Sequence, residues 1–376
     1  MHTVNRRNWL KQSSLAALGV GISLRSMAGE EYIPKQYGAD SGLINLGSNE
    51  NPYGISPKAK EAILNLLGEA NRYPFNINSL QTFTEQLASH HGVNAKNVLV
   101  TAGSGEGLAL LARHFHEGNI ITATPTFGIL PGTAKKIGTE LIEIPLTADK
   151  VHDLDAMLKA ITNKTSLVYI CNPANPTSTI LNPSALKDFC LEASKKTTVL
   201  IDEAYFDFLD VPKSDSMISL AEKNPNIIVI KTFSKIYAMA GLRVGFIISH
   251  PSVINKLEPN YFQNSQFAVS VLSQTAALAS LADKEHAHAS RIKNKAARQF
   301  THDELAKLGY KAIPSNTNFI FFPLKKYNGD FADEMMKKNI LLRSSDYSDG
   351  KWARVSVGTL PEMQQFIQVM KKDFSS

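Results

Sequence analysis

Between about residues 95 and 250 seven short apolar runs alternate with helical stretches, and this alternation limits the possible folds more than any other feature of the chain. The runs cover 97–101, 119–123, 140–144, 166–171, 197–201, 226–230 and 243–249 and are rich in Val and Ile. Runs of β-branched residues without polar alternation suit strands covered on both faces, so they predict a mainly parallel sheet flanked by helices, an α/β domain. Sites in such sheets lie at the carboxyl ends of the strands. Chemistry is therefore expected in the residues that follow each run.

The rest of the chain has a different texture. No Gly or Pro falls between Phe262 and Leu308, a stretch rich in Ala, Gln, Lys and Arg that reads as long helices. Beyond Gly309 strands are expected near 319–322 and 354–357 and helices near 329–338 and 361–373, a smaller α+β domain. The expected organisation is an N-terminal segment 1–28, an arm 29–72, a large domain 73–270 and a small domain 271–376 that includes its linking helix.

The residues after the strands are unusual as a set. The first strand is followed by Ala102-Gly103-Ser104-Gly105-Glu106-Gly107 and an Ala/Leu helix, a turn that aims backbone N–H groups and a helix N-terminus at an anion. After Cys171 comes Asn172-Pro173-Ala174-Asn175-Pro176, where each proline keeps its preceding asparagine out of the helical region and lets the amide point into a cleft. The next strand delivers Asp202-Glu203-Ala204-Tyr205. A carboxylate at the end of a buried strand needs a cationic partner, either a protonated heterocycle or a structural arginine. Thr232, Ser234 and Lys235 follow the strand after that, with Arg243 beyond a Gly turn. There the lysine can act as an amine nucleophile while hydroxyls and guanidinium grip a phosphate.

In this order on successive strands, the set resembles the aminotransferase class I and II family of fold-type I pyridoxal-phosphate enzymes from about residue 40 to the C-terminus. Asn49-Glu50-Asn51-Pro52-Tyr53-Gly54, Asp202-Glu203-Ala204-Tyr205, Ser234-Lys235 with Ala240-Gly241-Leu242-Arg243, and Arg354-Val355-Ser356-Val357-Gly358-Thr359 are most similar to its histidinol-phosphate aminotransferase branch. The resemblance implies a mainly parallel seven-stranded sheet in the large domain and an enzyme that moves an amino group from an amino acid or amino-phosphate donor to a 2-oxo acid. Pyridoxal 5′-phosphate is the implied cofactor, held by Lys235 as a Schiff base. Asp202 would keep its ring nitrogen protonated, making the ring an electron sink, and Tyr205 and Asn175 would bond its phenolic oxygen. Ser104, Gly105, Thr232, Ser234 and Arg243 would bind its phosphate, and Phe127 would stack on the ring. Arg354, aided by Asn175, would clamp the substrate carboxylate. Asn49 and Arg343 would also face the substrate, Arg343 toward a distal anionic group. Tyr53 would reach the phosphate of a partner subunit, implying a homodimer. A lyase on the same scaffold, as in the related threonine-phosphate decarboxylases, is the alternative reaction.

The chain departs from the branch pattern at three positions, with Gly105 in place of an acidic residue, Phe127 in place of a tyrosine and Ser178 in place of a glycine. The first two face the cofactor and substrate, so their loss argues against histidinol phosphate as the substrate.

The formal charge of +6 comes largely from Arg6, Arg7, Lys11 and Arg25. Without residues 1–28 the balance is 36 basic to 34 acidic side chains, which leaves no case for nucleic acid. That segment resembles a twin-arginine signal: paired arginines, an apolar run from Leu15 to Leu24 too short for a membrane span, and small residues at Ser26-Met27-Ala28. It implies the twin-arginine translocation machinery as a partner and a periplasmic enzyme exported folded. Cys171 and Cys190 are expected to be buried free thiols, and no Cys/His cluster has metal-ligand spacing.

Overall fold

The computed structural model describes residues 42–72, 77–259, 268–324, 327 and 329–374. The chain divides into two compact units, Met1–Leu43 and Ile44–Ser376. Only Gly42 and Leu43 of the first are described, so the twin-arginine segment and residues 29–41 of the expected arm lie outside the described residues.

Among the described residues twelve strands run in chain order: β1 Ile44–Asn45, β2 Val98–Thr101, β3 Asn119–Thr124, β4 Leu141–Pro145, β5 Thr165–Cys171, β6 Thr198–Asp202, β7 Ile227–Thr232, β8 Gly245–Ser249, β9 Phe319–Pro323, β10 Ile340–Leu341, β11 Arg343–Tyr347 and β12 Gly350–Ser356. The seven apolar runs become β2 to β8 with ends shifted by a residue or two, and they form one sheet in the order β2-β8-β7-β6-β5-β3-β4. All neighbours are parallel except β8, which is antiparallel to both β2 and β7. The sheet is double-sided because side chains alternate along each strand. Val168, Ile170, Val199, Ile201, Ile227 and Val229 face a core shared with Phe83, Leu87, Phe189 and Ala277. Leu167, Tyr169, Leu200, Ile228 and Ile230 face a second core with Leu108, Leu111 and Leu130.

This topology gathers the chemistry. Because β5, β6 and β7 are adjacent and parallel, Cys171 pairs with Asp202 and Asp202 with Ile230, so the loops after three strands open side by side. Gly245, at the start of antiparallel β8, pairs with Thr101 and with Thr232. The turn before the helix Ser104–His114, the hydroxyls after β7 and the Arg243 turn therefore meet at one corner.

The C-terminal region forms a three-stranded antiparallel sheet, β11-β12-β9. Its core gathers Ile320, Phe322, Phe331, Val355, Phe366 and Met370. Strands β1, β10 and β11 lacked a sequence signal: β1 and β10 are two-residue parallel partners, and β11 carries mostly polar side chains, Arg343-Ser344-Ser345-Asp346-Tyr347. The helical stretch after residue 262 is interrupted at Asp283, which caps the helix Lys284–Lys307 by accepting from the His286 N–H. The preceding helix, Val271–Ala282, packs Ala276 and Ala277 into the core of the large sheet. Cys171 and Cys190 are both buried and free, and burial pushes the Cys190 thiol up to about 12. Among the described residues no helix is long and apolar enough to cross a membrane.

Candidate active site

Asp202 ends β6 and is 1% exposed. Its carboxylate accepts from the Tyr169 hydroxyl at 3.2 Å and the Ala204 N–H at 3.0 Å. Among the described residues it has no ion pair, and burial raises its pKa to about 6 despite both hydrogen bonds. The structural arginine admitted by the sequence is absent there. The lysine that serves such a purpose, Lys231, instead faces Glu203, the next residue, at 3.6 Å and Asp207 at 3.3 Å.

Lys235 follows β7 and projects toward the arm, where its Nζ donates to the Asn49 carbonyl at 3.1 Å and the Ser48 carbonyl at 3.4 Å. Burial, followed by the nearby Arg354, lowers its pKa to about 8. An amine with that value is neutral in a substantial fraction near physiological pH, as a nucleophile requires. The same cavity, about 270 Å³, is lined by Asn49, Ser104, Phe127, Asn175, Asp202, Tyr205, Lys235, Arg343 and Arg354.

At the Gly-rich corner the helix Ser104–His114 starts after Gly103, which has φ 83° and offers no capping side chain, so the first N–H groups point out of the helix uncapped. A Cβ at Gly103 would collide with the Arg243 guanidinium, and one at Gly245 would collide with the backbone of Gly103 and Ser104. Close approach of backbone thus requires glycine at 245, and the positive φ requires it at 103. Gly105 lies in the first turn, within about 3.0 Å of Ile129 Cδ1 measured from an added Cβ. Thr232 and Ser234 hydroxyls are linked at 2.9 Å, and Arg243 Nη1 donates to Ser234 Oγ at 3.5 Å and to the Ala240 carbonyl at 2.8 Å. Arg243 itself is held at φ 53°, and Asn49 and Ala238 also have positive φ. Non-glycine residues in this region mark sites where the surroundings impose a strained conformation.

Tyr205 is buried, and its hydroxyl accepts from Asn49 Nδ2 at 3.0 Å and Asn175 Nδ2 at 3.4 Å. Its own proton is thus free to be donated. Burial raises the Tyr205 pKa above the ordinary phenol value. Arg354, on β12, donates from Nη1 to Asn175 Oδ1 at 2.9 Å and from Nη2 to the Gly47 carbonyl at 2.8 Å, while its buried Nε has no partner. Arg343 pairs directly with Arg354 across β11 and β12 and donates to the same Gly47 carbonyl at 3.3 Å. Like charges opposed in this way are unfavourable unless an anion joins them.

One expected placement differs. Asn172 does not point into the cleft: its Oδ1 accepts from the Leu181 N–H at 2.9 Å and closes the loop, because a buried backbone donor there needs an acceptor. Of that loop only Asn175 reaches the site. Tyr53 does not line this chain's own cavity, and its half-buried ring lies 5.1 Å from Lys293 Nζ.

Four supporting groups carried no chemical signal of their own. Ser356 accepts from the Asn49 N–H at 2.7 Å and donates to its Oδ1 at 3.1 Å, while the Asn318 amide donates to the Asn49 carbonyl at 3.0 Å. Tyr169 orients Asp202, and the Gly47 carbonyl holds both arginines. Period-two spacing could have found two of them, since Ser356 shares a strand face with Arg354 and Tyr169 shares one with Cys171.

A buried carboxylate without a cation, an amine kept partly neutral, a cluster of uncapped N–H groups, hydroxyls and guanidinium, and an aromatic wall together fit a flat, cationic, phosphate-bearing ring. Comparison with known proteins agrees. Residues 41–370 match the family described as aminotransferase class I and II. The chain is 33% identical to a histidinol-phosphate aminotransferase of Moorella thermoacetica, covering 91% of this chain and 88% of that one. It is 36% identical to an aromatic amino acid aminotransferase of Rhodococcus jostii, covering 87% and 89%. The structure superposes with a TM-score of 0.82 on a putative histidinol-phosphate aminotransferase of Erwinia carotovora atroseptica, at 32% identity over 88% of this chain and 95% of that one. It superposes with a TM-score of 0.81 on the histidinol-phosphate aminotransferase of Sinorhizobium meliloti in complex with pyridoxal-5′-phosphate, at 25% identity over 87% and 89%. The chain belongs to the aminotransferase class I and II family, and its cofactor is pyridoxal 5′-phosphate.

Proposed function

We propose that this aminotransferase takes its amino group from an α-amino acid, with Arg354 binding the α-carboxylate and Arg343 favouring donors with an acidic side chain. The observation that carries this reading is the Arg354 guanidinium, which spends two N–H groups on neutral oxygens and leaves its buried Nε without a partner. A carboxylate would satisfy that donor and separate the two opposed arginines.

When bound, pyridoxal phosphate supplies an electrophilic carbonyl carbon and a ring that withdraws electrons. The chain's residues do the rest. Lys235, partly neutral because burial lowers its pKa to about 8, would be the residue that holds the group covalently and, when free of it, would hold or move a proton at Nζ. Asp202, fixed by Tyr169 and the Ala204 N–H, holds the ring nitrogen in its protonated form. The Tyr205 hydroxyl, whose oxygen already accepts from two amides, would be left to donate a hydrogen bond to the ring oxygen. Phe127 covers the ring, and the corner formed by Ser104, Gly105, Thr232, Ser234 and Arg243 binds the phosphate.

A panel of dicarboxylic, aromatic and ω-amino donors and histidinol phosphate, read as loss of the holoenzyme's visible absorbance and release of the oxo acid, tests this assignment. Acidic amino acids should react best, and Arg343→Gln should shift the preference toward aromatic donors. Fastest turnover of histidinol phosphate, or release of carbon dioxide in place of an oxo acid, would refute it.

The same reading extends to assembly and location. Tyr53, absent from its own cavity, reaches the phosphate corner of a second subunit in a homodimer, and a single-subunit mass by light scattering would exclude this. Arg6 and Arg7 direct export of the folded enzyme to the periplasm through the twin-arginine machinery. Replacing both with lysine should retain the protein in the cytoplasm, and unchanged fractionation would refute the route.

A further inference from the structure

A cavity of about 570 Å³ opens where the loops after β5 and β6 meet the helix Lys284–Lys307, and it shares no lining residue with the catalytic cavity. One helix face supplies His288, Arg291, Lys295 and Arg298 to its wall, spaced three, four and three residues apart. Stacking cations in this way destabilises a helix unless something offsets the repulsion. Some lysines on the protein are paired, as Lys231 with Glu203 and Lys307 with Glu304. Among the described residues Arg291, Lys295 and Arg298 have no carboxylate in ion-pair range. Each arginine donates to one backbone carbonyl, Arg291 Nε to Asp207 at 3.2 Å and Arg298 Nη1 to Thr317 at 2.6 Å, which leaves most of each fork open. Among the described residues the only acidic one in the lining is Asp210.

Part of the remaining wall is apolar, where Leu181, Phe208 and Val211 face the cavity and Ile292 stands 55% exposed beside the cations, while Asn182, Asn294 and Asn316 add amide groups. Three positive side chains beside an apolar patch suit a dianion attached to an apolar body better than a lone carboxylate or a free inorganic ion. The volume lies within the range of small-molecule sites. We propose that this cavity is a second ligand site, separate from the catalytic one, that takes a small phosphomonoester with an apolar, ring-sized body.

Calorimetric titration of the holoenzyme, in which the cofactor already fills the catalytic phosphate corner, tests the site with phenyl phosphate and inorganic phosphate as probes. One phenyl phosphate per chain should bind at least about tenfold more tightly than inorganic phosphate, since only the former has an apolar body to bury. Lys295→Glu, on an exposed position that folding tolerates, and Arg291→Gln should each weaken phenyl phosphate at least about tenfold. Arg354→Gln, in the catalytic cavity, should leave it unchanged. The proposal is overturned by absence of saturable binding, by equal affinity for the two probes, by unchanged binding in both Lys295→Glu and Arg291→Gln, or by its loss in Arg354→Gln.

Discussion

Asp202 and Glu203 are consecutive, equally buried carboxylates at the end of one strand, yet they are served in opposite ways. Glu203 has a full set of partners: Lys231 at 3.6 Å, the Ser216 hydroxyl at 2.6 Å and the Met217 N–H at 2.8 Å. Asp202 has a hydroxyl and one N–H but no cation, and burial holds its pKa near 6. The two lysines differ similarly. Lys231 is 2% exposed between Glu203 and Asp207, whereas Lys235 rests on backbone carbonyls with its pKa lowered to about 8. The first pair is complete within the chain and serves stability. The second is left incomplete, and its missing charges are those a bound pyridinium ring would bring. Functional sites are commonly less stable than the scaffold that carries them, and here the contrast spans a single peptide bond.

Exchanging the lysines tests the contrast most severely. Lys235→Ala should lower transamination by ~10⁴-fold or more while leaving the melting temperature of the cofactor-free protein unchanged or raised, because no ion pair is lost. Lys231→Ala should instead strand Glu203 and destabilise the fold by about 3–5 kcal/mol, with the activity per folded molecule largely retained. Thermal melts and steady-state rates on both variants decide this, and a stability loss in Lys235→Ala that matched the one in Lys231→Ala would erase the distinction.

Asp202→Asn should show the trade-off in one residue. A carboxyl whose pKa is raised by folding contributes fully to stability only below its unfolded value, and that contribution is lost as pH rises through about 6. At pH 8 the cofactor-free Asn variant should therefore be more stable, by at most about 3 kcal/mol, while activity falls by ~10²–10³-fold for want of a charge opposite the ring nitrogen. Urea titrations at pH 4 and 8 measure the first effect, which should vanish at pH 4.

The smallest effect expected is a shift in pH dependence. Lys235 is depressed, so its neutral form gains over the charged one as pH rises through about 8. Covalent uptake of pyridoxal phosphate by the cofactor-free protein should rise through that pH. In Arg354→Gln the midpoint should move upward, since the guanidinium is the second cause of the depression after burial. Stopped-flow absorbance across pH 6–10 would show this, and an unmoved midpoint would leave burial and Arg243 as the causes.

Much of this architecture can be read from local pattern. Seven apolar runs lacking polar alternation specify strands buried on both faces, and Lys235, Asp202 and Arg243 stand out because charged groups beside buried strands have few structural uses. Other parts left little trace. Strand β11 is polar because its side chains meet solvent and the cavity, and β1 and β10 form only in contact with each other. Asn172 and Asn175 have the same Asn-Pro context, yet one closes a loop and the other holds Arg354, since the difference depends on what lies across the gap.

Periodicity and residue type were enough to set the alternation of elements, the order of the chemical groups along the chain and the presence of an amine nucleophile among hydroxyls and a downstream arginine. Tertiary structure alone decided that Lys231 pairs with Glu203 while Asp202 goes without a cation, that Asn49 joins Tyr205 to Ser356, and that Arg343 and Arg354 face one another. Those outcomes depend on strand order and register, which bring together residues up to about 300 positions apart, such as Asn49 and Ser356. No local property of the chain encodes that distance.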